Sequence, residues 1–238
     1  MIPIFVITCD RLKVLKDSMQ SYYDFIKTPF EIVIVDFGSS YKPTVEYLKN
    51  LEHEKIKVYW KGKIVRSRRF NLHIDEAVQD YFKDHPMSNY VVTDSDILLD
   101  NVDGDILEAY AYFLDIIPQI NVVGPMLRID DIPKYYPLRE GVVTGKHKKF
   151  HSAKVHTANY KEKQIRYISA KIDTTFGMYR ERSQWRRLQK GIRTFVPYSA
   201  KHLDWYVDPR NLTEDQRYYM QNASQIAHWS KWDSSYHE

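Results

Sequence analysis

The densest group of chemistry-bearing residues is Tyr90-Val-Val-Thr-Asp94-Ser-Asp96-Ile-Leu-Leu-Asp100. Two carboxylates one residue apart, directly after an apolar β-branched run, can offer oxygen ligands to one hard divalent cation and leave its other positions to water and phosphate oxygens. A cation held there screens the charge that gathers on a departing diphosphate, as a Lewis acid for the leaving group. Two further strand-like runs end in acids: Ile2 to Thr8 leads into Cys9-Asp10-Arg11, and Glu31 to Asp36 leads into Phe37-Gly-Ser-Ser. In an open α/β sheet, ligands bind outside the carboxyl ends of the strands, so these three acidic ends are expected on one rim. A lone Asp at a strand end also serves as a helix cap or turn former, and that alternative stands for Asp10.

The elements that must position these residues alternate through the first 125 residues. After the strand at Ile2–Thr8, Leu12, Leu15, Met19, Tyr22 and Ile26 recur at helical steps and give one apolar face. Val45, Leu48 and Leu51 mark a second, shorter helix, residues 55–60 a third strand, Ile74, Ala77, Val78, Tyr81 and Phe82 a third helix, and residues 89–94 a fourth strand. A helix over 105–117, stopped by Pro118, and a strand over 120–124 follow. Continuous apolar strands separated by helices predict an α/β fold with a mostly parallel central sheet covered on both faces. Residues 125–162 carry Pro125, Pro133, Pro137, Gly141 and Gly145 among Lys and His, which reads as long loops able to order around a ligand. Strand character returns at 164–172 and 175–180, and Thr213-Glu-Asp-Gln216 has the form of a capping box opening a helix to about residue 228.

Composition narrows the function classes. The 238 residues are 43% hydrophobic and include one cysteine, so a folded core is available, whereas an intramolecular disulfide scaffold or a thiolate zinc cluster is excluded. The apolar N-terminus lacks the basic flank and cleavage site of a leader, and no apolar stretch approaches the ~20 residues that span a bilayer; a cytoplasmic location is expected, with peripheral membrane contact left open. The net charge of +4 is unevenly spread: residues 134–201 hold 17 Lys and Arg against four acids. That segment is either a solvated basic face or the meeting place of something anionic. No Gly-x-Gly-x-x-Gly follows the first strand, and Gly141-Val-Val-Thr-Gly145-Lys146-His is one residue short of a phosphate loop and lacks its Ser or Thr.

Taken in order, Ile4-Phe-Val-Ile-Thr-Cys-Asp10-Arg11, Ile32-Val-Ile-Val-Asp36-Phe-Gly-Ser, Arg66-Ser-Arg-Arg-Phe-Asn71 and Val91-Val-Thr-Asp94-Ser-Asp96 resemble nucleotide-sugar glycosyltransferases of the GT-A fold. The resemblance covers about the first 125 residues; Asp173-Thr-Thr-Phe-Gly-Met-Tyr-Arg180 and His202-Leu-Asp204-Trp-Tyr look similar to acceptor-side elements of bacterial and viral members. It implies one domain whose donor half is 1–125 and whose acceptor half is 126–238. It further implies that Thr8, Asp10, Arg11, Asp36 and one of Arg66 and Arg69 contact the nucleoside or its diphosphate, with Asp36 on the base, typically uracil. Asp94 would hold the ribose or the metal, and Asp96 the metal, Mn2+ or Mg2+, with His202 as a further ligand. For proton removal from the acceptor hydroxyl, Asp173 and Asp204 are the candidate bases. The expected partners are a uridine diphosphate sugar and a glycan or lipid-linked glycan acceptor, with the sugar transferred by inversion if a carboxylate acts as base and retention left open if Asp173 only positions the acceptor. The alternatives are a sugar-phosphate nucleotidyltransferase, which lacks its Gly-rich loop here, and a non-enzymatic polyanion or nucleic-acid binder using 134–201, for which no recognisable nucleic-acid module is present.

Overall fold

A run with no charge before Asp10 has no solvent face to offer, and Ile2–Thr8 forms strand β1 in the interior of the sheet, with Ile4, Phe5 and Val6 fully buried. The computed structural model describes residues 1–63, 69–222 and 228–231. The chain continues through α1 (Leu12–Phe25), β2 (Phe30–Asp36), α2 (Lys42–His53), β3 (Lys57–Trp60), α3 (Arg69–Asp84), β4 (Tyr90–Asp94), β5 (Ile97–Leu99), α4 (Ile106–Ile116) and β6 (Val122–Pro125). Alternation along β1 divides the core between two faces. Ile4 and Val6 pack with Leu15, Met19 and Tyr22 of α1 and with α4, whereas Phe5 and Ile7 pack with Ile74, Val78 and Tyr81 of α3.

The second half adds α5 (Arg139–Thr144), α6 (Lys146–His151), β7 (Val155–Tyr160), β8 (Lys163–Ile172), β9 (Gly177–Tyr179), β10 (Gln189–Thr194), β11 (Ala200–His202) and α7 (Glu214–Asn222). One nine-stranded sheet in the order β3-β2-β1-β4-β9-β6-β10-β8-β7 runs through both halves. β3, β2, β1 and β4 are mutually parallel, β9 is inserted antiparallel between β4 and β6, and β10 is parallel to β6. Only β8 and β9 oppose the common direction. This is the expected α/β architecture, a large and mostly parallel sheet flanked by helices. A Cβ at Gly191 would lie 2.1 Å from the Val122 carbonyl oxygen, so β10 reaches its place beside β6 through a residue with no side chain. β5 and β11 form a separate antiparallel ribbon.

Three readings change. The segment taken as long loops carries α5, α6 and edge strand β7: helices of six residues are too short to show a 3.6 period, and β7 has mostly exposed or half-buried residues and so no apolar signature. β5, β10 and β11, absent from the sequence reading, are short or charged strands made by partners far away in the chain. In the capping box, the Thr213 amide donates to Gln216 Oε1 at 2.9 Å, but the Thr213 hydroxyl donates to Asp215 instead of accepting from a helix amide. Residues 223–227 lie outside the described part.

Part of the basic segment is neutralised within the chain. Lys161 pairs with Asp105 and Glu108, Lys163 with Asp103 and Asp105, and Lys201 with Asp100 and Asp131, so these lysines of the second half dock mainly onto acids of the first. Among the described residues, no helix is long and apolar enough to cross a membrane.

Candidate active site

β4 delivers Asp94 to the rim, and the next two residues turn into β5. The β5–β11 ribbon sets His202 opposite Ile97, the neighbour of Asp96, and the Leu203 amide donates to the Asp96 carbonyl at 2.7 Å. A 3-10 turn over Leu203–Tyr206 then carries Asp204 inward. Asp96, His202 and Asp204 are all buried, and one ligand atom from each lies within 4.8 Å of the others. His202 Nε2 is 3.8 Å from Asp96 Oδ2, and its ring stacks on Trp205 with centroids 5.0 Å apart. Trp205 is itself fully buried, a core residue and no sugar platform.

Arg11, at the start of α1, bridges this cluster. Its Nη1 donates to Asp96 Oδ2 at 2.7 Å and its Nη2 to Asp204 Oδ1, with the guanidinium 5.1 Å from the Tyr219 ring centroid. Ser230 Oγ donates to Asp204 Oδ2 at 2.9 Å, so both Asp204 oxygens are engaged. Asp96 Oδ1 and His202 Nδ1, in contrast, are buried with no hydrogen-bond partner among the described residues. Burial pushes the Asp96 carboxyl up, but His202 and the Arg11 guanidinium outweigh it and hold the group below the usual carboxylate range. Asp94 goes the other way: burial, then the neighbouring Asp96 and Asp173, raise it well above its ordinary value.

The antiparallel insertion of β9 brings the connection Asp173-Thr174-Thr175 to the same rim, where each residue holds one charged group. Asp173 takes Arg187 on both oxygens, Nε to Oδ1 at 2.6 Å and Nη2 to Oδ2 at 3.1 Å. Thr174 Oγ1 donates to Asp94 Oδ2, while its carbonyl accepts from the Asp94 amide at 2.8 Å. Thr175 Oγ1 accepts from Arg193 Nη1 at 3.1 Å.

Between the two groups opens a cleft of about 700 Å³, whose lining includes Thr8, Arg11, Asp94, Asp96, Asp173 and His202. Thr8 Oγ1 is buried with no hydrogen-bond partner among the described residues. Phe37 and Phe70, ring centroids 5.2 Å apart, form an aromatic wall. Asp10 and Asp36 do not line it. Asp10 accepts from the Ser40 and Tyr41 amides, both at 2.7 Å, at the entry to α2, and Asp36 accepts from the Gly38 and Ser39 amides, both at 3.0 Å. The Asp36 turn places Gly38 at φ 83°, a conformation suited to glycine. Arg66 lies outside the described residues, and Arg69 is the first residue of α3.

The structure thus gathers Arg11, Asp94, Asp96, Asp173 and His202 around one cleft, and adds Asp204 to the ligand cluster, where Asp94 was expected. Sequence reasoning missed Arg187 and Arg193, which also line the cleft, and set His147 aside as part of a basic loop, although it lines the cleft too. Arg193 had a signal, a single charge inside Gly191-Ile-Arg-Thr-Phe-Val196; His147 had none, because its packing on Trp205 and Trp229 is set by α6.

No family model and no curated protein matches the chain. Its fold is similar to solved structures of the nucleotide-sugar glycosyltransferase type. Staphylococcus aureus TarS 1-349 in complex with UDP-GlcNAc is matched over 94% of this chain and 68% of that chain, at 16% identity and a TM-score of 0.43. The mannosyltransferase PcManGT from Pyrobaculum calidifontis, in complex with GDP-Man and Mn2+, is matched over 55% of this chain and 36% of that one, at 19% identity and a TM-score of 0.38. Glucosyl-3-phosphoglycerate synthase from Mycobacterium tuberculosis is matched over 60% and 52%, at 12% identity and a TM-score of 0.36. The chain therefore spans about a third of the mannosyltransferase and about half of the synthase. The activities in these names belong to those proteins.

Proposed function

We propose that this chain is a metal-dependent glycosyltransferase that moves a sugar from a nucleoside diphosphate, a uridine diphosphate sugar, to a glycan hydroxyl. The observation that carries the reading is the Asp96, His202 and Asp204 cluster, with ligand atoms within 4.8 Å of one another, opening on a cleft at the carboxyl ends of parallel strands. Two carboxylates and an imidazole, with Asp96 Oδ1 and His202 Nδ1 buried and unpartnered, fit a divalent cation such as Mn2+ or Mg2+. Bound there, the ion would supply charge compensation for the diphosphate leaving group.

The chain's own residues fill the remaining roles in this reading. Thr8 Oγ1 is free to bond the nucleoside, and the Phe37 and Phe70 wall offers its base a stacking face. Asp94 serves the ribose. Asp10 and Asp36 act at one remove, by fixing the turns after β1 and β2. For the base, Asp173 is favoured over Asp204: Asp173 lines the cleft and its Oδ2, which accepts a single hydrogen bond, retains a lone pair for the acceptor hydroxyl proton, whereas Asp204 belongs to the ligand cluster and does not line the cleft. Attack by that hydroxyl on the anomeric carbon, with departure of the diphosphate from the opposite face, inverts the centre.

Calorimetric titration of uridine diphosphate with and without Mn2+, on the native chain and on Asp96→Asn, tests the reading. Binding that needs the ion and weakens at least about a hundredfold in the variant, ~2.7 kcal/mol, supports it. Metal-independent binding lost in Arg11→Met would assign the cation's role to Arg11, and no nucleotide binding in any condition would remove the glycosyltransferase reading.

A further inference from the structure

Arg193 is the charged group that the site as described does not use. It is 4% exposed on β10, yet no carboxylate lies within ion-pair distance among the described residues. Its bonds all go to neutral acceptors: Nε to the Lys171 carbonyl at 3.2 Å, and Nη1 to the Pro125 carbonyl at 2.8 Å and to Thr175 Oγ1 at 3.1 Å. Nη2 has no acceptor among the described residues, and the guanidinium lies 5.2 Å from the Phe150 ring centroid. A buried cation without a counter-charge is costly, and burial here pushes its proton affinity down to about 10. Arg193 lines the cleft, the space a ligand would fill.

Lys171 also lines the cleft and has no carboxylate partner among the described residues, whereas Arg187 is already neutralised by Asp173. We propose that Arg193 and Lys171 form an anion subsite that receives a phosphate group of the acceptor. A planar guanidinium whose Nη2 is unbonded among the described residues suits a phosphate oxygen, and a second cation lining the same cleft adds to the attraction. This assignment rests on the glycosyltransferase reading. The position sets acceptor phosphate above donor diphosphate: Thr175 ties Arg193 to the connection that carries Asp173, the proposed base, and Asp173 is the first acid to act on the Arg193 charge. The Asp96, His202 and Asp204 cluster is built separately, from β5, β11 and the turn that follows.

The experiment is calorimetric titration of inorganic phosphate into the full chain, alone and with uridine diphosphate and Mn2+ at saturation. Expected are phosphate binding that persists beside the nucleotide, a loss of at least about tenfold in Arg193→Met, and a loss of about threefold or more in Lys171→Gln, with nucleotide affinity unchanged in both. Lys171 is exposed, so its variant decides the question even if Arg193→Met fails to fold. Unaltered phosphate affinity in Lys171→Gln, or no phosphate binding by the native chain, overturns the proposal. Competition between phosphate and nucleotide overturns the acceptor assignment and gives the site to the donor. Failure of the glycosyltransferase reading shows separately, as absence of nucleotide binding.

Discussion

The acids that close β1 and β2 and those that close β4 look alike in sequence and end differently in the molecule. Asp10 and Asp36 are consumed locally, their oxygens bonded to amides of the turns that lead into α2 and away from β2. Asp94 and Asp96 are instead matched by side chains from distant segments: Thr174 for the first, Arg11 and His202 for the second. A carboxylate saturated by nearby amides is finished as the chain turns, and its role is to fix that turn. One held by remote side chains, with an oxygen left over, keeps capacity for a ligand.

Removing the long-range partner tests this contrast most severely. Arg11→Met leaves Asp96 and Asp204 buried without their shared cation and is expected to cost about 3 kcal/mol or more of stability in urea unfolding. Added Mn2+ should recover part of that loss if the cluster takes an ion. The sign with pH is fixed as well. Asp96 sits below its unfolded value, so its contribution is present above the unfolded pKa and is lost as pH falls through the folded one. Without Arg11 that folded value rises, and acid unfolding should begin at higher pH. A loss under about 0.5 kcal/mol would mean that the bridge is as weak as an ordinary surface pair.

The local acids should answer differently. Asp10→Ala removes the acceptor for two amides and places alanine at φ 52°, with an expected cost of about 1–2 kcal/mol; Asp10→Asn keeps one oxygen and tolerates that backbone, and should cost a fraction of it. Nucleotide affinity should change less than twofold in the Asn variant. A large loss of affinity without loss of stability would show that Asp10 touches the donor and would break the comparison. The smallest effect falls on Cys9, whose thiol is pushed up to about 12 by burial and then by Asp10 and Asp36. Its alkylation by iodoacetamide should stay slow at pH 8, climb toward pH 12, and quicken modestly in Asp10→Asn, because one of the charges opposing the thiolate is gone.

How far the site could be read beforehand follows the same division. Asp94 and Asp96 were legible because an apolar run before them announces a buried parallel strand and its rim, and Asp36 was legible as an acid at a turn for the same reason. His202 was found through resemblance, but its meeting with Asp96 depends on a three-residue ribbon with no pattern of its own. Asp204 drew notice as a possible base and proved to be a partner of Arg11, 193 positions away. Arg193 went unnoticed although it is a single charge in an uncharged run, because only the fold shows that no carboxylate among the described residues pairs with it.

The sequence by itself determined the alternating strands and helices of the first 125 residues, the two faces of β1 and the rim on which the acids stand, since these follow from periodicity and from the cost of exposing apolar side chains. Which acids remain open to a ligand was decided by the tertiary structure. That outcome depends on pairings among β9, β10, β11 and the turns between them, where burial removes water and a charge is left with only the partners that the fold brings within reach.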